Sequence, residues 1–363
     1  AISRHCLTRR PGQVRQNGTG GCVKIDHVGD SQDLRLIVTG ERPGRATDEA
    51  FGFQSTFKHW HPTQGRPVQT WNGHCIVPGR HISHPSLQGA AMQIRFWGVR
   101  GSIAVSGTRY VHTGGNTSCV EVEHDGERLI LDGGTGLRAL GDHLGFGPQR
   151  LTLAFSHVHW DHIQGVPFFA PAFHPDSELT LIGADRPSGS IRDALSRQMK
   201  PPQWPIGLDA FQARLNFLAA RPKQPFEVGP FRLTPIEMSH PDGVLAWRVE
   251  AGGKSMVYAT DIEHAGLIDR RLLEAALGTD LLIHDAQYTD AEYRGLRGPS
   301  RRGWGHSTWK EAVQCAELAQ VGRLALFHHD PSRPDDGVAA IEYAARLLSQ
   351  RAFAAREGSV VSL

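Results

Sequence analysis

The chain holds 363 residues, 39% of them hydrophobic and 21% charged, with 39 Lys+Arg against 37 Asp+Glu and a formal net charge of +2. That length suits one large or two ordinary domains, and the near-neutral balance argues against a dedicated binder of DNA or of a membrane surface. No apolar run approaches the roughly 20 residues that cross a bilayer and no signal-peptide pattern opens the chain, so a cytoplasmic protein without a membrane partner is expected.

Residues 1–91 carry 11 Lys+Arg against 6 Asp+Glu, leaving 28 basic and 31 acidic groups in 92–363. This first stretch has little apolar periodicity beyond 34–38. Met92, the first methionine, stands directly before a strand-like run. The expected organisation is a poorly ordered basic extension at 1–91, read in frame upstream of the native start, and a working domain at 92–363. A small basic module with its own partner is the rival reading of 1–91.

From Met92 onward, β-rich runs separated by turn signals predict strands at 93–97, 118–123, 128–132, 151–156, 178–182, 231–238, 245–250, 255–260, 280–283, 323–327 and 359–363. Helical patterns fall at 190–199, 270–277, 308–320 and 336–353, with Thr308 and Glu311 in capping-box spacing. Two blocks of strands with helices between and after them predict a layered α+β sandwich rather than one doubly wound sheet. The five cysteines lie far apart without a CxxC pair, so neither a disulfide framework nor a cysteine zinc knuckle is indicated.

Histidine is in excess, at 20 residues. The densest cluster is Ser156-His157-Val158-His159-Trp160-Asp161-His162, directly after the apolar run Leu151-Thr152-Leu153-Ala154-Phe155. A strand that ends there sends His157 and His159 to one side, and the following turn brings Asp161 and His162 to a neighbouring point. Neutral imidazoles with a carboxylate suit a borderline divalent ion such as zinc.

This HxHxDH motif and the segments after it resemble the metallo-β-lactamase superfamily of binuclear metallohydrolases, over about residues 92–363. The resemblance implies a four-layer αββα sandwich with two divalent metal ions, zinc first and manganese or iron as alternatives. It places one ion on His157, His159 and His240 and the other on Asp161, His162 and His328, with Asp261 between them. His329 is the rival to His328, since a slip of one residue exchanges them. The strand and glycine turn Leu129-Ile130-Leu131-Asp132-Gly133-Gly134 match the segment that precedes the metal loop, which makes Asp132 a residue that orients it. Arg100, in the segment Arg95-Phe96-Trp97-Gly98-Val99-Arg100-Gly101-Ser102, either faces an anionic substrate or is a solvated loop arginine.

The implied chemistry is hydrolysis by a hydroxide that bridges two metals, with Asp161 both a ligand and a proton acceptor. Gly305-His306-Ser307-Thr308 resembles the HST element of the phosphodiesterase branch, typified by the tRNA-processing ribonuclease RNase Z. There His306 donates the leaving-group proton and Asp285 orients it; otherwise His306 is a bystander beside a helix cap. His264 is a weaker candidate for substrate contact. Only 20 residues separate His240 from Asp261, too few for a tRNA-gripping arm at that place. The longer insertion at 185–224, with Pro201-Pro202-Gln203-Trp204-Pro205, reads as a flap over the site or as a packing segment. A small or cyclic phosphodiester is therefore the expected substrate, with a nucleic acid unlikely as partner. A thioester or lactone hydrolase and an RNA-processing nuclease are the alternatives. His159 speaks against the flavodiiron oxidoreductases, which carry an acid there. Related enzymes commonly dimerise, and a homodimer is left open.

Overall fold

The computed structural model describes residues 22–27, 34–39 and 91–363. Contacts divide the chain into Ala1–His81 and Ile82–Leu363. In the first unit, β1 (Cys22–His27) and β2 (Leu34–Thr39) pair antiparallel, Cys22 opposite Thr39 and His27 opposite Leu34. The expected disorder of 1–91 otherwise concerns residues outside those described.

The second unit contains two seven-stranded sheets. The first sheet contains β3 (Gln93–Gly98), β4 (Cys119–His124), β5 (Glu127–Leu131), β6 (Arg150–Ala154), β7 (Glu178–Gly183) and β8 (Arg214–Ala219). The second contains β9 (Phe226–Val228), β10 (Phe231–Met238), β11 (Val244–Ala251), β12 (Lys254–Ala259), β13 (Leu281–Asp285), β14 (Arg323–Phe327) and β15 (Ala352–Ala354). The chain ends in β16 (Val360–Ser362), which returns to the first sheet beside β3. In each sheet antiparallel pairs give way to parallel ones, from β5 onward in the first and from β12 onward in the second.

Period-two side-chain alternation makes the layers. Leu129 and Leu131 of β5 face the core between the sheets, as do Met256 and Tyr258 of β12 and Ala325 and Phe327 of β14. Their neighbours point the other way. Ile130 packs with Leu137 and Leu140 of α1 (Gly136–Leu144) and with Ile191 and Leu195 of α3 (Ile191–Gln198), outside the first sheet. Val257, Leu282, Leu324 and Leu326 pack outside the second sheet, beneath α4 (Arg270–Ala276), α6 (Trp309–Leu318) and α7 (Asp335–Leu348). Strands buried on both faces read as continuous apolar runs, which is why β13 and β14 show no polar alternation. The result is the αββα sandwich. Among the described residues no helix is long and apolar enough to cross a membrane.

In the second unit three strands, β8, β9 and β15, went unread in the sequence pattern. The run 336–353 was expected to be one helix; α7 stops at Leu348, and Ala352–Ala354 pair with Leu324–Leu326 instead. Alanines there carry helical propensity, but an open edge beside β14 offers them a ladder. Residues 185–224 supply α3 and the edge strand β8. Leu195, Met199 and Phe211 are buried, and Trp204 packs edge-on against Phe168 at 5.0 Å. Of the two roles open for this insertion, packing is the one these contacts support.

Trp247 of β11 is fully buried between the sheets, its indole N–H donating to the Phe155 carbonyl at 3.3 Å. Trp247→Ala is expected to cost about 3–5 kcal/mol in denaturant unfolding; a loss below about 1 kcal/mol would contradict this placement.

Candidate metal centre

Strand ends from both sheets deliver the polar cluster. Asp132 follows β5, His157 follows β6, His240 follows β10, Asp261 follows β12, Asp285 ends β13 and His328 follows β14. The short helix α2 (Trp160–Ile163) turns Asp161 and His162 inward. Three of these residues hold left-handed backbone: Asp132 at φ 62°, Asp261 at φ 52° and His328 at φ 58°. Such conformations cost about 1–3 kcal/mol each and persist only where surrounding contacts enforce them.

Three groups of donor atoms result. His157, His159 and His240 converge in the first; Asp161, His162, Asp261 and His328 converge in the second. The third, Asp261, Asp285, His306 and His328, shares Asp261 and His328 with the second. Asp261 spans the first two. Its Oδ1 lies 3.8 Å from His157 Nε2 and 3.9 Å from His240 Nε2, while Oδ2 lies 3.1 Å from both His162 Nε2 and His328 Nε2. Asp161 Oδ2 is 3.2 Å from His162 Nε2 and 3.1 Å from His328 Nε2, and it accepts the Ser102 backbone N–H at 2.7 Å.

The hydrogen bonds outside the cluster decide which ring nitrogens face in. A neutral imidazole has one N–H and one lone pair. Ser156 Oγ donates to Asp132 at 2.7 Å, so it accepts from His157 Nδ1 at 3.0 Å. His162 Nδ1 donates to Asp132 Oδ2 at 2.7 Å, His240 Nδ1 to the Gly305 carbonyl at 2.9 Å, and His328 Nδ1 to Gln287 Oε1 at 3.0 Å. The Nε2 atoms of His157, His162, His240 and His328 therefore point inward. His157 Nε2 sits 2.9 Å and His240 Nε2 3.1 Å from His159 Nδ1. Among the described residues the buried His162 Nε2 has no hydrogen-bond partner. One N–H on His159 Nδ1 cannot fully satisfy both His157 and His240, and the Asp161 and Asp261 carboxylates draw positive charge to His162 and His328, so the donor set fits two divalent ions.

Electrostatics follow the same division. Burial, reinforced by the His162 charge, holds His157 well below the usual imidazole range, and burial also lowers His159 and His240. Burial opposes charge on His162 too, but Asp261, Asp161 and Asp132 outweigh it and raise that group well above the ordinary range. Burial pushes the Asp161 carboxyl up, yet His162 and His328 hold it well below the usual carboxylate range. One half of the centre thus presents neutral imidazoles, while the other draws positive charge to a point between two carboxylates.

His306 stands beside this pair, its ring stacked on His328 with centroids 5.0 Å apart. Its Nδ1 is bonded to Asp285 Oδ2 at 2.8 Å. Asp285 also accepts backbone N–H bonds from Asp261, Gln287 and Ser307. Burial opposes charge on His306, but the Asp285 carboxylate raises it to about 9. With Nδ1 tied to Asp285, Nε2 is left for the cleft that His306 lines with Ser102, His159, Trp160, Asp161 and Asp261.

Other expected residues lie elsewhere. Arg100 is fully buried and faces no cleft. It donates to the carbonyls of Gly114, Asp330 and Arg333 and packs over Tyr110, tying the loop before β4 to the loop before α7; neither the substrate-facing nor the solvated reading survives. His329 turns away from the centre and bonds the Ala355 carbonyl at 3.0 Å. Gly101 allows the approach of His328: a Cβ there would lie 2.5 Å from its ring. His264 is paired with His284, Nε2 to Nε2 at 3.1 Å, outside the donor groups. Ser156, Tyr258 and Gln287 escaped sequence reasoning. Each acts through a hydrogen bond to an orienting residue or ligand candidate, and no spacing rule marks such a role.

Asp132 accepts four donors: the Ser156 N–H and O–H, His162 Nδ1–H and the Tyr258 hydroxyl at 2.8 Å. Asp132→Asn places an amide N–H among them. Zinc affinity measured by titration is expected to fall roughly 10–100-fold; unchanged affinity would show that this carboxylate does not orient the centre.

A family model described as a beta-lactamase superfamily domain matches residues 127–329. The ribonuclease Z of Haloferax volcanii is 25% identical over 285 residues, covering 65% of this chain and 86% of that protein. That of Thermoplasma acidophilum is 35% identical over 230 residues, covering 50% and 70%. Among solved structures, the metallo-beta-lactamase fold protein YhfI of Bacillus subtilis superposes with a TM-score of 0.57 at 21% identity, over 75% of this chain and 99% of that one. With more than half of its length under that family model and all the strand ends of the centre in place, the chain belongs to the metallo-β-lactamase superfamily of metal-dependent hydrolases.

Proposed function

We propose that this hydrolase is a binuclear phosphodiesterase for small phosphodiesters, cyclic ones included, with zinc as the metal and manganese or iron as alternatives. His157, His159 and His240 would hold one ion, and Asp161, His162 and His328 the other, with Asp261 shared. The observation that carries the reading is the His306–Asp285 bond beside the first two donor groups, at 2.8 Å. A phosphodiester expels an alkoxide, which needs a proton, whereas the thiolate of a thioester leaves without one.

Two divalent ions supply charge that acidifies a shared water and neutralises phosphate oxygens. The chain's own residues do the rest. Asp161, fixed through Oδ2 by the Ser102 N–H, accepts the proton of the attacking water. Asp285 holds the His306 ring so that Nε2 faces the leaving oxygen and delivers its proton there. Tyr288, edge-on to His306 at 5.8 Å, and His328, stacked at 5.0 Å, stop the ring from rotating.

RNA is the second reading, favoured by relatives named ribonuclease Z. Against it, the residues between His240 and Asp261 are taken up by β11, β12 and the turn Gly252-Gly253, which leaves no chain there for an RNA-gripping arm.

Zinc-loaded protein is expected to hydrolyse bis-p-nitrophenyl phosphate and cyclic adenosine monophosphate faster than a thioester, a lactone or a 3′-extended tRNA. Preferred cleavage of the thioester or lactone would overturn the reading, and preferred cleavage of the tRNA would establish the second one. His306→Ala should slow the cyclic nucleotide by about 10²–10⁴, because its alkoxide needs the proton. The p-nitrophenyl ester should slow much less, since its phenolate leaves unprotonated. Equal losses on both substrates would remove His306 as proton donor.

A further inference from the structure

The segment between Tyr293 and His306 has no part in the chemistry above, yet it borders the centre. Residues 294–304 read Arg-Gly-Leu-Arg-Gly-Pro-Ser-Arg-Arg-Gly-Trp, with four arginines and no acidic residue anywhere from 293 to 310. In a chain of net charge +2 this is a sharp local excess. Arg271 and Arg333 nearby are paired with Asp269 and Glu292 at 2.5 and 2.8 Å. Among the described residues no such ion pair engages Arg294, Arg297, Arg301 or Arg302. Trp304 is 48% exposed. Arg301 lies over the Trp304 ring at 4.4 Å, and Arg302 lies over Tyr293 at 5.9 Å.

The segment is anchored to the centre. Glu263, two residues after Asp261, accepts the Tyr293 hydroxyl at 2.6 Å, the Gly303 N–H at 2.8 Å and the Gly305 N–H at 2.9 Å. Gly305 has φ +87° and its carbonyl receives His240 Nδ1–H; a Cβ there would collide with the His240 ring. Arg302 and Tyr293 line an open groove with Ser239, His240, Glu263 and His264. One carboxylate thus fixes the segment that carries Arg301 and Trp304, and its Arg302 lines a groove that reaches His240.

We infer that residues 301–304 form a nucleoside subsite: Trp304 with Arg301 stacks a base, and Arg302 meets a phosphate or ribose oxygen beside the scissile bond. A guanidinium laid on an indole presents a flat cationic face, which suits a base carrying a phosphate and gains little from a bare phosphate. The inference rests on the phosphodiesterase reading and narrows its substrates to nucleoside-bearing diesters.

The test measures inhibition of bis-p-nitrophenyl phosphate hydrolysis by adenosine 5′-monophosphate and by methyl phosphate, using the full chain loaded with zinc. Both inhibitors bring a phosphate monoester to the metals, and only one carries a base. The mononucleotide is expected to bind at least about tenfold more tightly, in keeping with the usual worth of one base–aromatic stack. Trp304→Ala and Arg302→Ala should shrink that ratio toward one, and Trp304→Phe should retain most of it. Equal inhibition by the two compounds in the wild type, or a ratio that Trp304→Ala and Arg302→Ala leave intact, would overturn the subsite alone. A wild type that hydrolyses no phosphodiester would instead overturn the functional reading beneath it.

Discussion

Four imidazoles whose outer nitrogens are already committed impose the constraint on which the rest of the centre depends. Ser156, Asp132, Gly305 and Gln287 each take one N–H, leaving the Nε2 atoms of His157, His162, His240 and His328 to face one another across a few ångströms. Among the described residues no protein group bonds the buried His162 Nε2. A cation fits there, and the two faces of Asp261 divide the space into two positions. Because the orienting bonds come from separate strands and loops, the centre forms only when both sheets are assembled.

The sandwich makes this possible by ending strands from both sheets at the same edge. Apolar side chains on both faces of β5, β12, β13 and β14 bury the strand bodies, so the polar residues fall where the ladders stop. The left-handed backbone at Asp132, Asp261 and His328 turns each chain sharply at that point. Buried contacts on both sides offset the cost, through Tyr258 on Asp132, Thr260 on Asp261 and Gln287 on His328. Arg100 belongs to the same scaffolding: its buried guanidinium joins two loops, and its neighbour Gly101 lets His328 approach.

Legibility in the sequence followed physical range. Strands such as β14 are readable because burial on both faces leaves an apolar run bounded by turns, and β10 because its more and less buried residues alternate. The helix cap at Thr308 was readable because a capping box is local. The edge strands β8, β9 and β15 were not, since their pairing depends on a neighbour distant in sequence rather than on their own residues. In the centre, the dense motif from His157 to His162 announced itself, and the later residues could be placed only through resemblance. Which of His328 and His329 faces the centre is a matter of backbone phase at the end of β14, where φ +58° at His328 sets the direction of both rings. The roles of Glu263 and Gln287 had no signature, because each is defined by what it accepts or orients across the fold.

The most direct measurement is anomalous diffraction from zinc-loaded crystals at the zinc absorption edge. Two peaks about 3.5–4 Å apart are expected on either side of the Asp261 carboxylate. His157, His159 and His240 should surround one, and Asp161, His162 and His328 the other. A single peak at full occupancy, or two peaks with other ligands, would contradict a binuclear centre built from these residues.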